Sequence, residues 1–337
     1  MSILKNILKI LLPFAFGLGI LWWMYRGADW ASFWHSLWHE MNWWWMLFSL
    51  LFGITAQTFR AQRWKLALEP IGERPRLRTC CDSVFVSYAA SLVIPRIGEV
   101  TRCATLKKMD GISFSKSLGT VVTERMVDSI LMLALTALAL ALQLPTFLHF
   151  LHTTGTSGRD ILGRFTSTGY VVTAVSVLAI ALTLLILLAR YTHFKKGRDI
   201  FEGLKAGVMS LGKVKNLPLY LLFSIGIWAS YYLHFYIAFF CFDFTAHFSP
   251  LTVLLIFCVG SYAVIVPTPN GAGPWHFAVK TMLVIYGVAE APAVMFALIV
   301  HTVQTFLVML LGVVGWADLN FLPVRKQLED VERQIIN

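Results

Sequence analysis

Charge is scarce in this sequence. Only 14% of its 337 residues are Asp, Glu, Lys or Arg, against about 25% in soluble domains, while 57% are hydrophobic. One soluble core of this size cannot bury so much apolar chain, because surface shrinks too slowly with mass. Lipid must cover the excess. Cysteine is equally uninformative: the five, at 80, 81, 103, 241 and 258, are odd in number and lack metal-ligand spacing. They argue against a disulfide framework and read as small packing residues. There is no GxxxxGK[ST], hence no P-loop for ATP, and neither GxSxG nor HExxH. No long polar stretch separates the apolar runs, so no attached catalytic domain, cofactor or metal is expected.

Long apolar runs are abundant. They lie at 7–25, 43–59, 129–148, 170–189, 217–240 and 292–316, each able to span about 30 Å of hydrocarbon. The first follows Lys5 and Lys9 as a signal peptide would, but Trp22, Trp23, Met24 and Tyr25 stand in place of a small-residue cleavage site. It reads as a retained helix.

Of 28 Lys and Arg residues, 23 fall into five stretches: the N-terminus, 60–82, 96–116, 190–216 and the C-terminal tail. This positive-inside bias places both termini in the cytoplasm. The formal charge of +10 therefore reads as membrane orientation against anionic lipid rather than a nucleic-acid surface. Eight of the twelve tryptophans precede residue 46. Trp30, Trp34, Leu37, Trp38 and Met41 recur at helical spacing and predict a short helix lying in the outer interface.

Two stretches are too short to cross and return as regular helices. In 83–108, about a dozen mostly apolar residues precede Pro95, and Gly98 follows. In 251–285 the chain is broken by Pro267, Pro269, Gly271, Gly273 and Pro274. Both predict re-entrant helical hairpins, with irregular backbone shielded by protein or a water-filled cavity. They also match: Ser87-Tyr88-Ala89 and Pro95 recur at Ser261-Tyr262-Ala263 and Pro269, always 174 residues on. The expected fold is all-α and polytopic, with six spanning helices plus two hairpins in an inverted repeat. The whole chain forms one transmembrane domain. Residues 1–150 hold the first repeat, 165–320 the second, and 321–337 a cytoplasmic tail.

The candidate substrate-binding residues are ionisable groups in or beside apolar segments, where charge is expensive. A helix starting at Pro95 would carry Arg96, Glu99 and Arg102 three apart on one face. Glu124, Arg125 and Asp128 open an apolar helix. These groups either meet an anionic headgroup or form a salt-bridge cluster fixing the first hairpin. Arg60 and Arg63, beside Trp64, are either cytoplasmic anchors or phosphate ligands. His276 follows the second hairpin's tip, where it titrates near neutral pH or caps the next helix. His301 and Gln304 share a face of the last span and either line the same cavity or bond between helices. His234 reads as an interhelical hydrogen-bond partner.

Taken together, Arg60-x-x-Arg63-Trp64, Pro95-Arg96-Ile97-Gly98-Glu99-x-x-Arg102, Ser117 through Glu124-Arg125-x-x-Asp128, and Pro267-x-Pro269-x-Gly271-x-Gly273 resemble a flippase-like family. That family includes the transmembrane region of lysylphosphatidylglycerol synthases. The resemblance runs from about 10 to 320. Asn270 stands where the family commonly has glycine, and His276 where it has glutamate. The resemblance implies a bacterial inner-membrane protein that moves lipids with anionic or polyprenyl-phosphate-linked headgroups between leaflets, without ATP hydrolysis. It also implies no synthase activity, since that resides in a separate soluble domain. An intramembrane lipid-phosphate transferase, with Glu99, Glu124, Asp128 or His276 as base, is the alternative of a different class. A non-catalytic partner that recruits a cytoplasmic enzyme through its basic loops is another.

Overall fold

The computed structural model describes residues 30–143, 202–203, 205–266 and 268–325, with Gly19, Trp22 and Arg26 before them. The expected spans 7–25 and 170–189, and Pro267, lie outside the described residues. What is described is helical, with no strand. A single turn, α1 (Trp30–His35), continues as a π-helical turn to Glu40. Four helices of one half follow: α2 (Trp43–Leu68), α3 (Leu77–Val93), α4 (Gly98–Asp110) and α5 (Phe114–Leu142). The other half has α6 (Leu217–Ala238), α7 (Pro250–Ala263), α8 (Pro274–Ile285) and α9 (Glu290–Phe321).

Adding 174 to a residue number carries α2 onto α6, α3 onto α7, α4 onto α8 and α5 onto α9, within two residues at each start. Local chemistry follows the same rule. Asn42 caps α2 by accepting the Trp44 N–H, and its equivalent Asn216 caps α6 by accepting that of Leu219. Among the described residues, the two non-glycines with positive φ are Arg96 (64°) and its equivalent Asn270 (50°).

The two central helices, α2 and α6, are antiparallel. Along their contact the Asn42 N–H donates to Cys241 O at 2.8 Å. His234 Nδ1 lies 2.7 Å from Ser49 O, Gln57 Nε2 donates to Tyr231 OH at 3.2 Å, and Arg63 Nη1 donates to Ser224 Oγ at 3.2 Å. Numbers rise on one helix as they fall on the other. Equivalent helices that run antiparallel are related by a twofold axis perpendicular to them. The axis crosses near the Gln57–Tyr231 contact, whose two residues are themselves equivalent. Around this pair α3 packs on α9, and its equivalent α7 packs on α5.

Each half folds one helical hairpin, α3–α4 and α7–α8. The base of the first is closed by Asp110, which accepts from the Arg76 backbone at 2.8 Å and its Nε at 2.7 Å. At its tip α4 begins against α3 so closely that a Cβ on Gly98 would strike the Ser87 carbonyl oxygen and Ser91 Oγ. The expected helix start at Pro95 is not what forms. Residues 95–97 make a tight turn with Arg96 in the left-handed region, and α4 starts at Gly98. Arg96 therefore leaves the stripe expected with Glu99 and Arg102. The second tip is a 3₁₀ turn at Pro269–Gly271, with Gly271 and Gly273 at φ 72° and 91°.

Among the described residues, three helices are long and apolar enough to cross a membrane: Phe114–Leu142, Leu217–Cys241 and Glu290–Phe321. The first starts earlier than the expected 129–148, so Glu124, Arg125 and Asp128 lie inside it, three to four turns from its start. With 26 residues α2 has the length, but Trp43, Trp44, Trp45, Gln57, Arg60 and Arg63 lower its apolar character.

Candidate functional site

Arg60 and Arg63 sit one turn apart on α2 and point at α5. Arg60 Nη1 donates to Asp128 Oδ2 at 3.0 Å, and Arg63 Nη1 donates to Asp128 Oδ1 at 2.7 Å. One turn earlier on α5, Glu124 Oε1 is 3.5 Å from Arg63 Nε and its Oε2 is 2.8 Å from Arg102 Nη2. Arg102 comes from α4 and also donates to Glu99 at 2.9 Å. Arg125 completes the ring, 3.4 Å from Glu99 and 3.4 Å from Asp128. Six groups, Arg63, Asp128, Arg125, Glu99, Arg102 and Glu124, thus close a ring, and Arg60 joins it through Asp128, so that the circuit draws four guanidinium and three carboxyl groups from three helices, with a formal excess of one positive charge.

Aromatic rings seal the circuit. The Trp64 ring centroid is 4.6 Å from the Arg102 guanidinium carbon, and Tyr220 covers Arg63 at 5.8 Å. Arg63 and Glu124 are fully buried. An isolated ion there would cost several kcal/mol, and mutual pairing offsets much of that. Neither oxygen of Glu124 has a hydrogen bond of good geometry, so charge rather than directed bonding holds it.

The circuit forms one pole of a cavity of about 630 Å³ near the twofold axis. Arg60, Arg125 and Asp128 reach its wall; Arg63, Arg102 and Glu124 stand behind them. Near the axis lie Gln57, Tyr88 and Tyr231, the two tyrosine hydroxyls 3.1 Å apart and both rings 5.8 Å from the Arg60 guanidinium carbon. The opposite pole belongs to the second half. There Asn270 Nδ2 donates to Thr305 Oγ1 at 2.7 Å, and His301 Nε2 lies 3.1 Å from Asn270 O. The remaining wall is largely apolar, including Leu133, Phe257, Leu307 and Leu311. On α5, Arg125, Ser129 and Leu133 are exposed at successive turns, so this side of the cavity opens outward.

The geometry sorts the candidates. Arg60, Arg63, Glu99, Arg102, Glu124, Arg125 and Asp128 come together. Arg96 does not: its Nη2 donates to Ile265 O at 2.7 Å, linking the two hairpin tips. His276 does not reach the cavity wall; its Nδ1 accepts the Gly273 N–H at 3.3 Å, and its ring packs 4.3 Å from that of His301. Of its two sequence readings, capping is the one the geometry matches. His301 and Gln304 both line the cavity, and so does His234. Tyr88 was marked only as part of the repeated Ser-Tyr-Ala, and Gln57 and Tyr231 had no signal of their own, although they stand 174 apart, as the hairpins do.

Residues 10–312 match the family described as Lysylphosphatidylglycerol synthase TM region. No curated protein and no solved structure matches.

Proposed function

The chain belongs to the lysylphosphatidylglycerol synthase transmembrane-region family and is a multi-pass membrane protein, and from that premise we propose that it carries anionic lipid headgroups between the leaflets of the bacterial inner membrane. The observation that supports this most is the central cavity. Its polar pole holds one more guanidinium than carboxylate, and most of its other wall is apolar. Guanidinium groups pair with phosphate in a two-pronged geometry that ammonium groups lack. A lone charge at the bilayer centre costs at least about 2.5–3.5 kcal/mol; the excess positive charge would offset that for a phosphate. The acyl or prenyl chains would stay outside, against α5 and α9. The residues that would hold the headgroup are Arg60 and Arg125, with Asp128, Arg63, Glu124, Arg102 and Glu99 fixing their positions. We propose movement without covalent chemistry, since the cavity's carboxylate, Asp128, is bound by three arginines and is poorly placed to act as a base.

The proposed topology follows from lengths and charges. The hairpin arms have 17, 13, 14 and 12 residues, or about 18–26 Å at 1.5 Å per residue, short of the roughly 30 Å core. They would enter and return, the first from the cytoplasm beside Lys107 and Lys108 and the second from outside. Six helices would span, including 7–25 and 170–189. The Arg78–Asp318 pair and the Arg76 bond to Pro323 O would lie at the cytoplasmic face, as would both termini.

Reconstitution in phosphatidylcholine vesicles with a trace of headgroup-fluorescent acidic lipid tests this. Dithionite should quench the inner-leaflet acidic probe faster than protein-free vesicles allow, and faster than a choline-headgroup probe. Arg60→Gln/Arg125→Gln should lose the acidic preference. Equal rates for both probes, unchanged in the variant, would defeat the proposal.

A further inference from the structure

The two halves are equivalent in sequence position but not in their contacts at the axis. Tyr88 of the first hairpin and Tyr262 of the second are equivalent, and so are Gln57 of α2 and Tyr231 of α6. In the first half the hairpin is tied across the axis: Tyr88 OH lies 3.1 Å from Tyr231 OH. The same tie in the second half would join Tyr262 to Gln57. It is not made. Tyr262 OH instead accepts from Thr136 Oγ1 at 3.1 Å. Gln57 donates through Nε2 to Tyr231, while its Oε1 is buried with no hydrogen-bond partner. Both Gln57 and Tyr262 line the same cavity.

An occluded, unpaired amide oxygen is costly to keep. Here it belongs to the residue that pseudo-symmetry pairs with Tyr262, on the wall of the same cavity. The tips repeat the asymmetry: Arg96 reaches across to the second hairpin, while its equivalent Asn270 stays within its own half. A molecule built from two like halves in unlike conformations has a second arrangement available, in which the halves exchange conformations.

We propose that the protein has a second state in which Tyr262 leaves Thr136 and donates its hydroxyl hydrogen to Gln57 Oε1, while Tyr88 releases Tyr231, so that the cavity is re-tied from the opposite hairpin. Thr136 sets the balance between the states. Its equivalent is Leu310, so Tyr88 finds no matching hydroxyl when released, whereas Tyr262 has one in the present state. The purpose of this switch, moving the headgroup from one face to the other, rests on the function proposed above; the existence of two states does not.

Thiol crosslinking tests it. The five native cysteines are replaced by alanine, and pairs are introduced in the full-length chain in vesicles: Tyr88→Cys/Tyr231→Cys for the present state and Gln57→Cys/Tyr262→Cys for the second. Side chains that meet at their tips leave the introduced thiols too far apart for a direct disulfide, so a reducible bis-methanethiosulfonate long enough to replace the two side chains bridges them. Both pairs should crosslink, the second more slowly. Adding Thr136→Val should raise its yield several-fold, and either bridge should stop lipid exchange until reduced. The proposal is overturned if Gln57→Cys/Tyr262→Cys stays unbridged, with and without Thr136→Val, while the other pair is bridged fully. Should the cysteine pairs disturb folding, hydrogen exchange on the otherwise native Thr136→Val chain decides instead. Faster exchange over 264–273 with no change over 94–97 is expected, and no change in either overturns the proposal. If the second bridge forms but no vesicle shows lipid exchange, the two states stand and the transport reading falls. If lipid exchanges but the bridge never forms, the reverse holds.

Discussion

Asp128→Asn removes the carboxylate that holds three arginines. The circuit would go from four guanidinium and three carboxylate groups to four and two, doubling its excess charge. The loss falls unevenly. Arg63 keeps Glu124 at 3.5 Å and Arg125 keeps Glu99 at 3.4 Å, but Arg60 has no other ion-pair partner among the described residues and is only 3% exposed. Breaking a buried pair while leaving one charge behind costs about 3–5 kcal/mol. Arg125→Gln is the matched control. Its side chain is 43% exposed, so losing its pairs should cost only about 0–1 kcal/mol. Adding Arg60→Met to Asp128→Asn removes the orphaned charge and should recover stability, with a coupling of roughly 1–3 kcal/mol. Unfolding titrations of these three variants and of Arg60→Met alone, in mixed micelles with increasing dodecyl sulfate and followed by tryptophan fluorescence, would give all four values. The reasoning is refuted if Asp128→Asn is no worse than Arg125→Gln, or if the double variant is as unstable as the sum of its parts.

Arg96→Gly relieves the φ of 64° but loses the bond to Ile265 O, so it should change stability by no more than about 1 kcal/mol; Arg96→Val, which loses the bond and adds strain, should lower it by about 1–3 kcal/mol in the same titration. Gly98→Val should prevent α4 from closing on α3, because the new side chain would meet the Ser87 carbonyl. The expected readout is loss of a monodisperse peak on size exclusion, and a normal peak would contradict the packing described. Trp64→Phe keeps a ring but removes the 3.0 Å bond to Thr120 Oγ1 and the better cation–π face over Arg102. It should cost about 1–2 kcal/mol, against near zero for Trp316→Phe, whose ring is 64% exposed.

The sequence was most readable where local chemistry decides structure. Prolines and glycines in short apolar runs marked both hairpins, and Tyr88 with Tyr262 and Pro95 with Pro269 gave the 174-residue offset. The offset could have been carried further: Asn42 and Asn216, two equivalent helix caps, extend it to the central helices and lead to Gln57 and Tyr231. Arg96 was misplaced because proline's preference for the first turn competed with a left-handed turn, which tertiary contact with Ile265 fixes. Arg60 and Arg63 were open between anchor and ligand because their partner, Asp128, is 65–68 residues away, and nothing local reports such a pairing. His276 shows the same limit from the other side: its residue type permits titration or capping, and only the turn of Gly273 decides between them.

The central claim is that the cavity receives a phosphate headgroup at its arginine pole. It is tested most directly by an experimentally determined structure of the protein in nanodiscs containing acidic phospholipid. A phosphate about 3 Å from the guanidinium groups of Arg60 and Arg125, with its chains leaving past Leu133, is the expected result. A cavity filled by hydrocarbon alone, with every headgroup at the membrane surface, would contradict it.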